Sequence, residues 1–138
     1  MKQLSLFIML VAVVTTYTHA QPVWTQKAGF SGTGNAEFRA FAINDNVYIV
    51  GPSPNLWQYN TLTDTWTQMA ALTGSQRNSP VAFAIGTKGY FGTGGSFNDF
   101  YEYDEPTNTW TTKANFGGTG REGALGIAIN GKIGRAHV

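Results

Sequence analysis

Residues 94–110 read GGSFNDFYEYDEPTNTW, and they are the most informative segment of the chain for its architecture. It begins with a glycine pair, Gly94 and Gly95, and continues as a run of alternating aromatic and polar residues. The turn-forming sequence Asp-Glu-Pro-Thr-Asn then separates that run from Trp110. This order predicts a tight chain reversal, a strand, a second turn and another strand.

Most of this stretch recurs along the chain at a nearly fixed step. Trp24, Trp66 and Trp110 each open a Trp-Thr-X-X-Ala sequence, and they stand 42 and 44 residues apart. Tyr59 and Tyr103 each precede a tryptophan by seven residues. Self-similarity at such a period is the sequence signature of a repeat architecture.

Each period contains four short runs typical of strands. In the second period they cover 81–85, 88–92, 100–103 and 110–113, and turn-forming residues separate them. Four strands per 42 to 44 residues is the composition of one propeller blade. The sequence therefore predicts an all-β fold, a partial β-propeller of about two four-stranded antiparallel blades with flanking strands at 24–28 and 124–129.

Physical reasons account for the repeated tryptophan and the glycine pair. A large ring at one place per blade fills the wedge between neighbouring sheets. It buries about 150–250 Å² of aromatic surface, which at about 25 cal/mol per Å² stabilises by at most roughly 4–6 kcal/mol. A chain reversal close to other backbone requires positive φ and no Cβ, which favours glycine at 94 and 95.

Composition narrows the function classes. The net charge is +1 and only 12% of residues are charged, so no broad charged field exists to attract nucleic acid or anionic lipid. The chain has no cysteine, which excludes disulfides, thiolate metal sites and cysteine nucleophiles.

The first twenty residues have the layout of a secretory signal. Lys2 precedes an apolar run over 4–14, and the small polar sequence TTYTHA ends at Ala20. Eleven residues are too few to span a bilayer, which takes about 20. We therefore expect a signal helix within 1–20, cleavage after Ala20, no membrane span afterwards, and a mature chain that is secreted, periplasmic or at the cell surface.

The Gly94-Gly95 pair, the Tyr101, Tyr103 and Asp104 sequence and the closing Trp110 resemble a kelch repeat. The resemblance covers 21–132 and is most similar to secreted bacterial kelch proteins described as galactose-oxidase-like. Kelch propellers close with five to seven blades, so the resemblance implies further blades in the full-length chain. The first unit departs from the pattern, with Gly51-Pro52-Ser53 in place of the glycine pair and Asn35 where the later units have Arg77 and Arg121.

The sequence after Lys132 leaves the repeat pattern. Residues 133–138 read IGRAHV, which resembles the translation of a common sequencing adapter. We expect this segment to be a non-native tail on a truncated reading frame, and a divergent natural tail is the alternative. Resequencing the locus tests this, because a frame that continues into further tryptophan-bearing units supports truncation and a genuine stop contradicts it.

Few residues are candidates for chemistry. His19 and His137 fall in the expected leader and tail, so the domain has no Ser-His-Asp arrangement, no His/Cys metal cluster and no copper-radical site, and we predict no catalytic residue, metal or cofactor. The Gly-Thr-Gly sequences at 32–34, 92–94 and 118–120 have no helix after them, which argues against phosphate binding. The acidic residues are explained by turns, and we expect Asp99 and Glu102 to be solvated on the third strand.

The remaining candidates are repeated polar residues ahead of the innermost strands. In kelch proteins this position often lines the ligand face, so the resemblance implies a site near the channel mouth. Arginine suits carboxylate or sulfate groups, and a structural tie between blades is the alternative role. Trp57, Tyr90 and Tyr101 are of the kind that stack on sugars, although blade cores also need aromatic rings. The candidate ligand-binding residues are Arg77, Asn78, Arg121 and Glu122.

The resemblance implies a secreted binding module that recognises a glycan or a protein through its channel-mouth loops. One alternative is part of a sugar-active kelch enzyme, epimerase-like or oxidase-like, with its catalytic groups in other blades. Another is a structural blade of a larger cell-surface protein. A propeller is a scaffold on which sites are grafted, so the fold alone does not choose among them.

Overall fold

The computed structural model describes residues 23–33, 37–51 and 53–136, and for 133–136 only the backbone. The predicted signal helix within 1–20, Asn35, Pro52 and His137 lie outside the described residues. Ten strands are present: β1 (Arg39–Ile43), β2 (Asn46–Val50), β3 (Leu56–Asn60), β4 (Thr65–Gln68), β5 (Val81–Ile85), β6 (Lys88–Gly92), β7 (Phe100–Asp104), β8 (Thr109–Lys113), β9 (Leu125–Ile129) and β10 (Lys132–Ala136).

The strands form two complete sheets and a hairpin. Strands β1 to β4 pair antiparallel in chain order, β5 to β8 do the same, and β9 pairs with β10. The predicted strands 81–85 and 88–92 have the observed bounds, and β7 and β8 are each one residue longer than expected. The prediction of an all-β fold with two four-stranded antiparallel blades is therefore confirmed.

The described part of the chain contains no helix, and thus none long and apolar enough to cross a membrane. The trailing strand expected at 124–129 is β9. The leading strand expected at 24–28 is wrong, because the segment is irregular and Trp24 is fully exposed. A strand needs a hydrogen-bonded neighbour, and within the described residues none pairs with this segment.

The two blades pack face to face, and their inner strands lie side by side in the order β1, β5, β9. One face of the first blade meets the opposite face of the second, and the core between them combines aromatic and aliphatic side chains. This burial is the main non-directional force that holds the blades together. The buried residues of this core are Phe41, Ile43, Tyr48, Val50, Leu56, Leu72, Phe91 and Tyr103.

The inner strands β1 and β5 each contribute one phenylalanine to the contact with the next blade. Phe41 stacks on Tyr48 with ring centroids 5.2 Å apart, and a Cβ at Gly89 of the second blade would collide with the Phe41 ring. Phe83, 42 residues later, approaches Gly126 of β9 in the same way. Glycine is therefore required where a neighbouring ring touches the backbone.

One face of β9 is left open. Leu125, Ile127 and Ile129 are 55%, 44% and 62% exposed, whereas Val81 and Phe83 at the aligned positions of β5 are buried. The described residues include no sheet that covers this face. An apolar face of this kind is typical of a repeat that stacks on a neighbour.

Candidate functional site

The two ends of the blades differ in their connections. At one end, turns of two or four residues join paired strands, at 44–45, 61–64, 86–87, 105–108 and 130–131. The other end, called here the link end, carries the loops 51–55 and 93–99. It also carries the links 28–38, 69–80 and 114–124, which lead into the inner strands. Long loops held on a rigid scaffold are where binding residues concentrate.

The first link is fastened to the first blade by a group of four residues called here the first clasp. Asp64 accepts the backbone N–H of Ala28 at 2.9 Å and the hydroxyl of Tyr59, while the Trp66 indole N–H donates to the Ala28 carbonyl at 3.0 Å. The hydrogen bond to Asp64 raises the pKa of Tyr59 to about 12. The Ala28 N–H and then the Tyr59 hydroxyl lower the pKa of Asp64.

The second clasp repeats this arrangement one blade later. Asn108 accepts the N–H of Ala70 and the hydroxyl of Tyr103, each at 2.9 Å, and Trp110 donates to the Ala70 carbonyl at 2.9 Å. The clasps explain why tyrosine and tryptophan recur seven residues apart. Sequence reasoning assigned the tryptophan to wedge filling and missed its hydrogen bond, although the alanine four residues after each tryptophan was a visible signal.

The glycine pair ties the links together. Gly94 donates its N–H to the Arg121 carbonyl at 2.7 Å, and Gly95 donates to the Asn78 carbonyl at 3.0 Å. Gly94 has a φ of +91°, and a Cβ there would lie 2.7 Å from the Asn78 oxygen. Positive φ and close backbone both require glycine here. Arg121 and Asn78, from consecutive links, are thereby brought to one place.

Arg77 is 3% exposed and lies inside the second blade. Its guanidinium makes a bidentate ion pair with Asp99, through Nη1 and, at 2.9 Å, through Nη2. It also donates to the carbonyls of Thr93 and Ser75 at 3.2 Å and lies 4.7 Å from the Phe97 ring centroid. These contacts occupy the guanidinium, so the geometry favours the structural role for Arg77 over ligand binding.

Asp99 is the partner that sequence reasoning missed. Burial acts to raise the pKa of Asp99, but the hydrogen bonds from Arg77 and Tyr101 outweigh it, and the pKa is lowered. The expectation of a solvated Asp99 on the third strand is wrong, because the residue precedes β7 and pairs with Arg77. Glu102 is also engaged, accepting the Tyr90 hydroxyl at 2.8 Å and pairing with Lys113 at 3.2 Å.

The other three candidates lie at the surface of the link end. Arg121 donates Nε–H to the Thr119 carbonyl at 3.2 Å and lies 5.3 Å from the Phe116 ring centroid. Asn78 and Glu122, at aligned positions of consecutive links, are exposed. The described residues offer Arg121 no carboxylate equivalent to Asp99.

A pocket of about 550 Å³ opens at the link end of the first blade, and it is called here the Trp57 pocket. Its position corresponds to the space that Arg77, Phe97 and Asp99 fill in the second blade. None of the described residues that line it is charged. They are Ser31, Gly32, Thr33, Phe38, Ser53, Asn55, Trp57 and Gln68.

The aromatic residues named as possible sugar platforms differ in their surroundings. Tyr101 lies under Arg77 and donates its hydroxyl to Asp99 at 2.8 Å, and Tyr90 stacks on Phe83 with centroids 5.4 Å apart. Trp57 alone of the three lines the pocket. Within the described residues no group of three histidine, cysteine or acidic side chains is placed to hold a metal ion.

Comparison with known proteins gives a fold-level answer. No family model matches the sequence, and no curated protein matches it. Among solved structures, YjhT matches with a TM-score of 0.63 and 25% identity over 70% of this chain. The chain spans about a third of YjhT, 32% of its length. The two blades therefore have the fold of part of YjhT, a kelch-repeat propeller protein.

Proposed function

We propose that this chain is part of a secreted kelch-repeat binding module that recognises a glycan or protein ligand through its link end. The asymmetry between the two ends carries the proposal. One end is closed by turns of two or four residues, while the link end carries the long loops and links. The Trp57 pocket lies there, and so do the exposed Asn78 and Glu122.

Three of the four predicted ligand-binding residues support recognition at the channel mouth. Asn78, Arg121 and Glu122 precede the inner strands β5 and β9, and the glycine pair holds Asn78 and Arg121 together. They offer an amide, a guanidinium and a carboxylate, a set suited to polar ligands. Arg77 supports this surface from below, since its ion pair with Asp99 fixes the loop 93–99 against the link 69–80.

The proposal includes the rest of a ring. One blade earlier, the face of β5 that corresponds to the open face of β9 is buried. The guanidinium of Arg77, which corresponds to that of Arg121, is paired by Asp99 in a loop of the same blade. Further blades in the full-length chain would bury the open face of β9 and pair the Arg121 guanidinium. The leader-like sequence at 1–20 supports secretion of the whole protein.

The test is ligand binding by the full-length secreted protein, measured on a glycan array and against candidate surface proteins by interferometry. We expect the double variant Asn78→Ala, Glu122→Ala to weaken binding by about tenfold, the effect of losing about 1.4 kcal/mol of contacts. The control is Thr87→Ala, in a turn at the opposite end, which we expect to bind like the parent. Equal losses in both variants, or no ligand of either class, would contradict the proposal.

A further inference from the structure

We infer that the Trp57 pocket binds an uncharged saccharide. This inference rests on the proposed function, because it names a ligand class for one part of the link end. Each described residue that lines the pocket has an aligned counterpart in the second blade. There the counterparts Phe97, Asp99 and Tyr101 contact the Arg77 guanidinium.

Four sequence differences distinguish the first blade from the second at this corner. The sequence has Asn35 where the second unit has Arg77, so the first unit supplies no guanidinium at that step. Ser53 stands at the position of Phe97, and Asn55 at that of Asp99. The loop 51–55 is also two residues shorter than 93–99. An ion pair and an aromatic ring are thus replaced by small or neutral polar groups.

The lining has one aromatic wall. Phe30 packs edge-on against Trp57, with ring centroids 5.4 Å apart, and a Cβ at Gly32 would lie 3.0 Å from the Trp57 ring. The link therefore approaches closely and fixes the indole, which remains partly exposed toward the pocket. A fixed aromatic face with polar neighbours suits a ring that is apolar on its C–H face and polar at its edge.

Phe38 adds a second aromatic ring to the lining, and the other described side chains around the pocket are neutral donors and acceptors. The amides of Gln68 and Asn55 lie side by side, with Nε2 and Oδ1 3.4 Å apart. In the described part of the chain, Asn55 Nδ2 and Gln68 Oε1 make no other hydrogen bond, and neither do the hydroxyls of Ser31, Thr33 and Ser53. Such groups can donate to and accept from sugar hydroxyls.

The same lining disfavours other ligand classes. The described lining residues include no arginine, lysine or histidine to pair an anion and no carboxylate to pair a cation. A wholly apolar ligand would leave five polar side chains without partners, which is costly. The volume of about 550 Å³ falls in the range of small-molecule sites, about 300–1,000 Å³.

The test uses the full-length protein and calorimetric titration with maltotriose, cellotriose and a galactose disaccharide, with sialic acid and adenosine as charged and nucleoside probes. Ser53→Phe places in the pocket the side chain that the second blade has, without removing a contact. We expect it to weaken binding of the neutral sugar at least tenfold. We expect Gln68→Ala and Trp57→Ala to weaken binding as well, and Trp57→Phe to retain part of it.

The matched control is Thr112→Ala, since Thr112 is the exposed counterpart of Gln68 in the second blade. We expect this variant to bind the neutral sugar like the parent. Circular dichroism of each variant separates lost binding from lost folding, and Ser53→Phe remains decisive if Trp57→Ala fails to fold.

Each outcome separates this inference from the proposed function. Neutral-sugar binding that Ser53→Phe abolishes supports both. Glycan or protein binding that Ser53→Phe leaves intact overturns the inference and leaves the proposed function standing. Tighter binding of sialic acid or adenosine in the pocket overturns the ligand class. The absence of any ligand at the link end overturns both.

Discussion

The two blades share one fold and differ in what fills one corner of it. In the second blade the link and the loop hold an ion pair between the buried Arg77 and the partly buried Asp99, next to the Phe97 ring. In the first blade the equivalent corner is the Trp57 pocket. The repeat thus keeps its strands and clasps, while changes at three positions and a two-residue change in loop length replace the Arg77–Asp99 ion pair and the Phe97 ring by a cavity.

The largest effect is expected from removing the ion pair between Arg77 and Asp99. Arg77→Met leaves the Asp99 carboxylate, which is 24% exposed, without its partner. Breaking a fully buried ion pair from one side costs about 3–5 kcal/mol, and we expect a loss at the lower end of that range. Urea denaturation of the full-length protein measures this loss. Arg39→Met is the control, because Arg39 donates to the carbonyls of Pro80 and Phe38 and pairs with no carboxylate in the described residues. Equal losses of unfolding free energy in Arg77→Met and Arg39→Met would show that the ion pair does not distinguish the second blade from the first.

The longer loop, 93–99, contains the glycine pair, and the shorter loop, 51–55, has no such pair. We expect Gly94→Ala to destabilise by about 3 kcal/mol, because the new Cβ meets the Asn78 oxygen and the backbone of Pro80 at a φ of +91°. Gly95→Ala shares a positive φ but meets only Phe97 at 4.0 Å, so we expect about 1 kcal/mol. Thermal unfolding compares them, and a reversed order would show that the close approach is not the cause.

The clasps give a smaller contrast. Trp110→Phe removes the hydrogen bond to the Ala70 carbonyl from a half-buried site, and we expect a loss of about 1 kcal/mol beyond the change in packing. Trp66→Phe removes the equivalent bond at an exposed link, where water replaces the partner, so its loss should be about half as large. Denaturant titration measures both, and a larger loss for Trp66→Phe would contradict the equivalence of the two clasps.

The smallest effect is a difference in acid sensitivity between the clasps. The folded pKa of Asp64 lies below its unfolded value of about 3.9, so its contribution to stability is present above that pH and is lost as the pH falls through the folded pKa. Asn108 does not titrate. As the pH is lowered from 7 to about 2, through the range below 3.9 in which Asp64 titrates, we expect the Trp66 indole N–H signal in NMR spectra to shift and that of Trp110 to remain.

Asp64→Asn is the matched control for this titration, because it converts the first clasp to the chemistry of the second. We expect the variant to retain the Trp66 signal at every pH in that range. A Trp110 signal that shifts together with Trp66, or a Trp66 signal that still shifts in Asp64→Asn, would assign the change to global unfolding.

The strands were predictable because their pattern is local. Alternation, turn residues and the 42 to 44 residue step place β5 to β8 to within a residue. The irregular segment 24–28 shows the limit, since its sequence matches a strand but strand formation depends on a partner elsewhere in the chain. Local pattern specifies the element, and tertiary pairing decides whether it forms.

The site was only partly predictable, because its residues are related by contact rather than by sequence spacing. Arg77 was singled out from its repetition, but its pairing with Asp99 joins residues 22 apart through a loop whose length varies between units. The joint change to Asn35 and Asn55 was the one available signal that the first corner is different. The Trp57 pocket lies where the first blade has no counterpart of the Phe97 ring or the Asp99 carboxylate. Such a pocket becomes visible only when the two blades are compared residue by residue.

The clasps also have a fixed order along the chain, because in both the accepting alanine precedes the donating tryptophan. Ala28 precedes its partner Trp66 in the chain, and Ala70 precedes Trp110. As a ribosome releases the polypeptide, every receiving carbonyl therefore emerges before the indole that will donate to it. Each of the two described blades can therefore dock on a segment that has already been synthesised, so the clasps can form in chain order during translation.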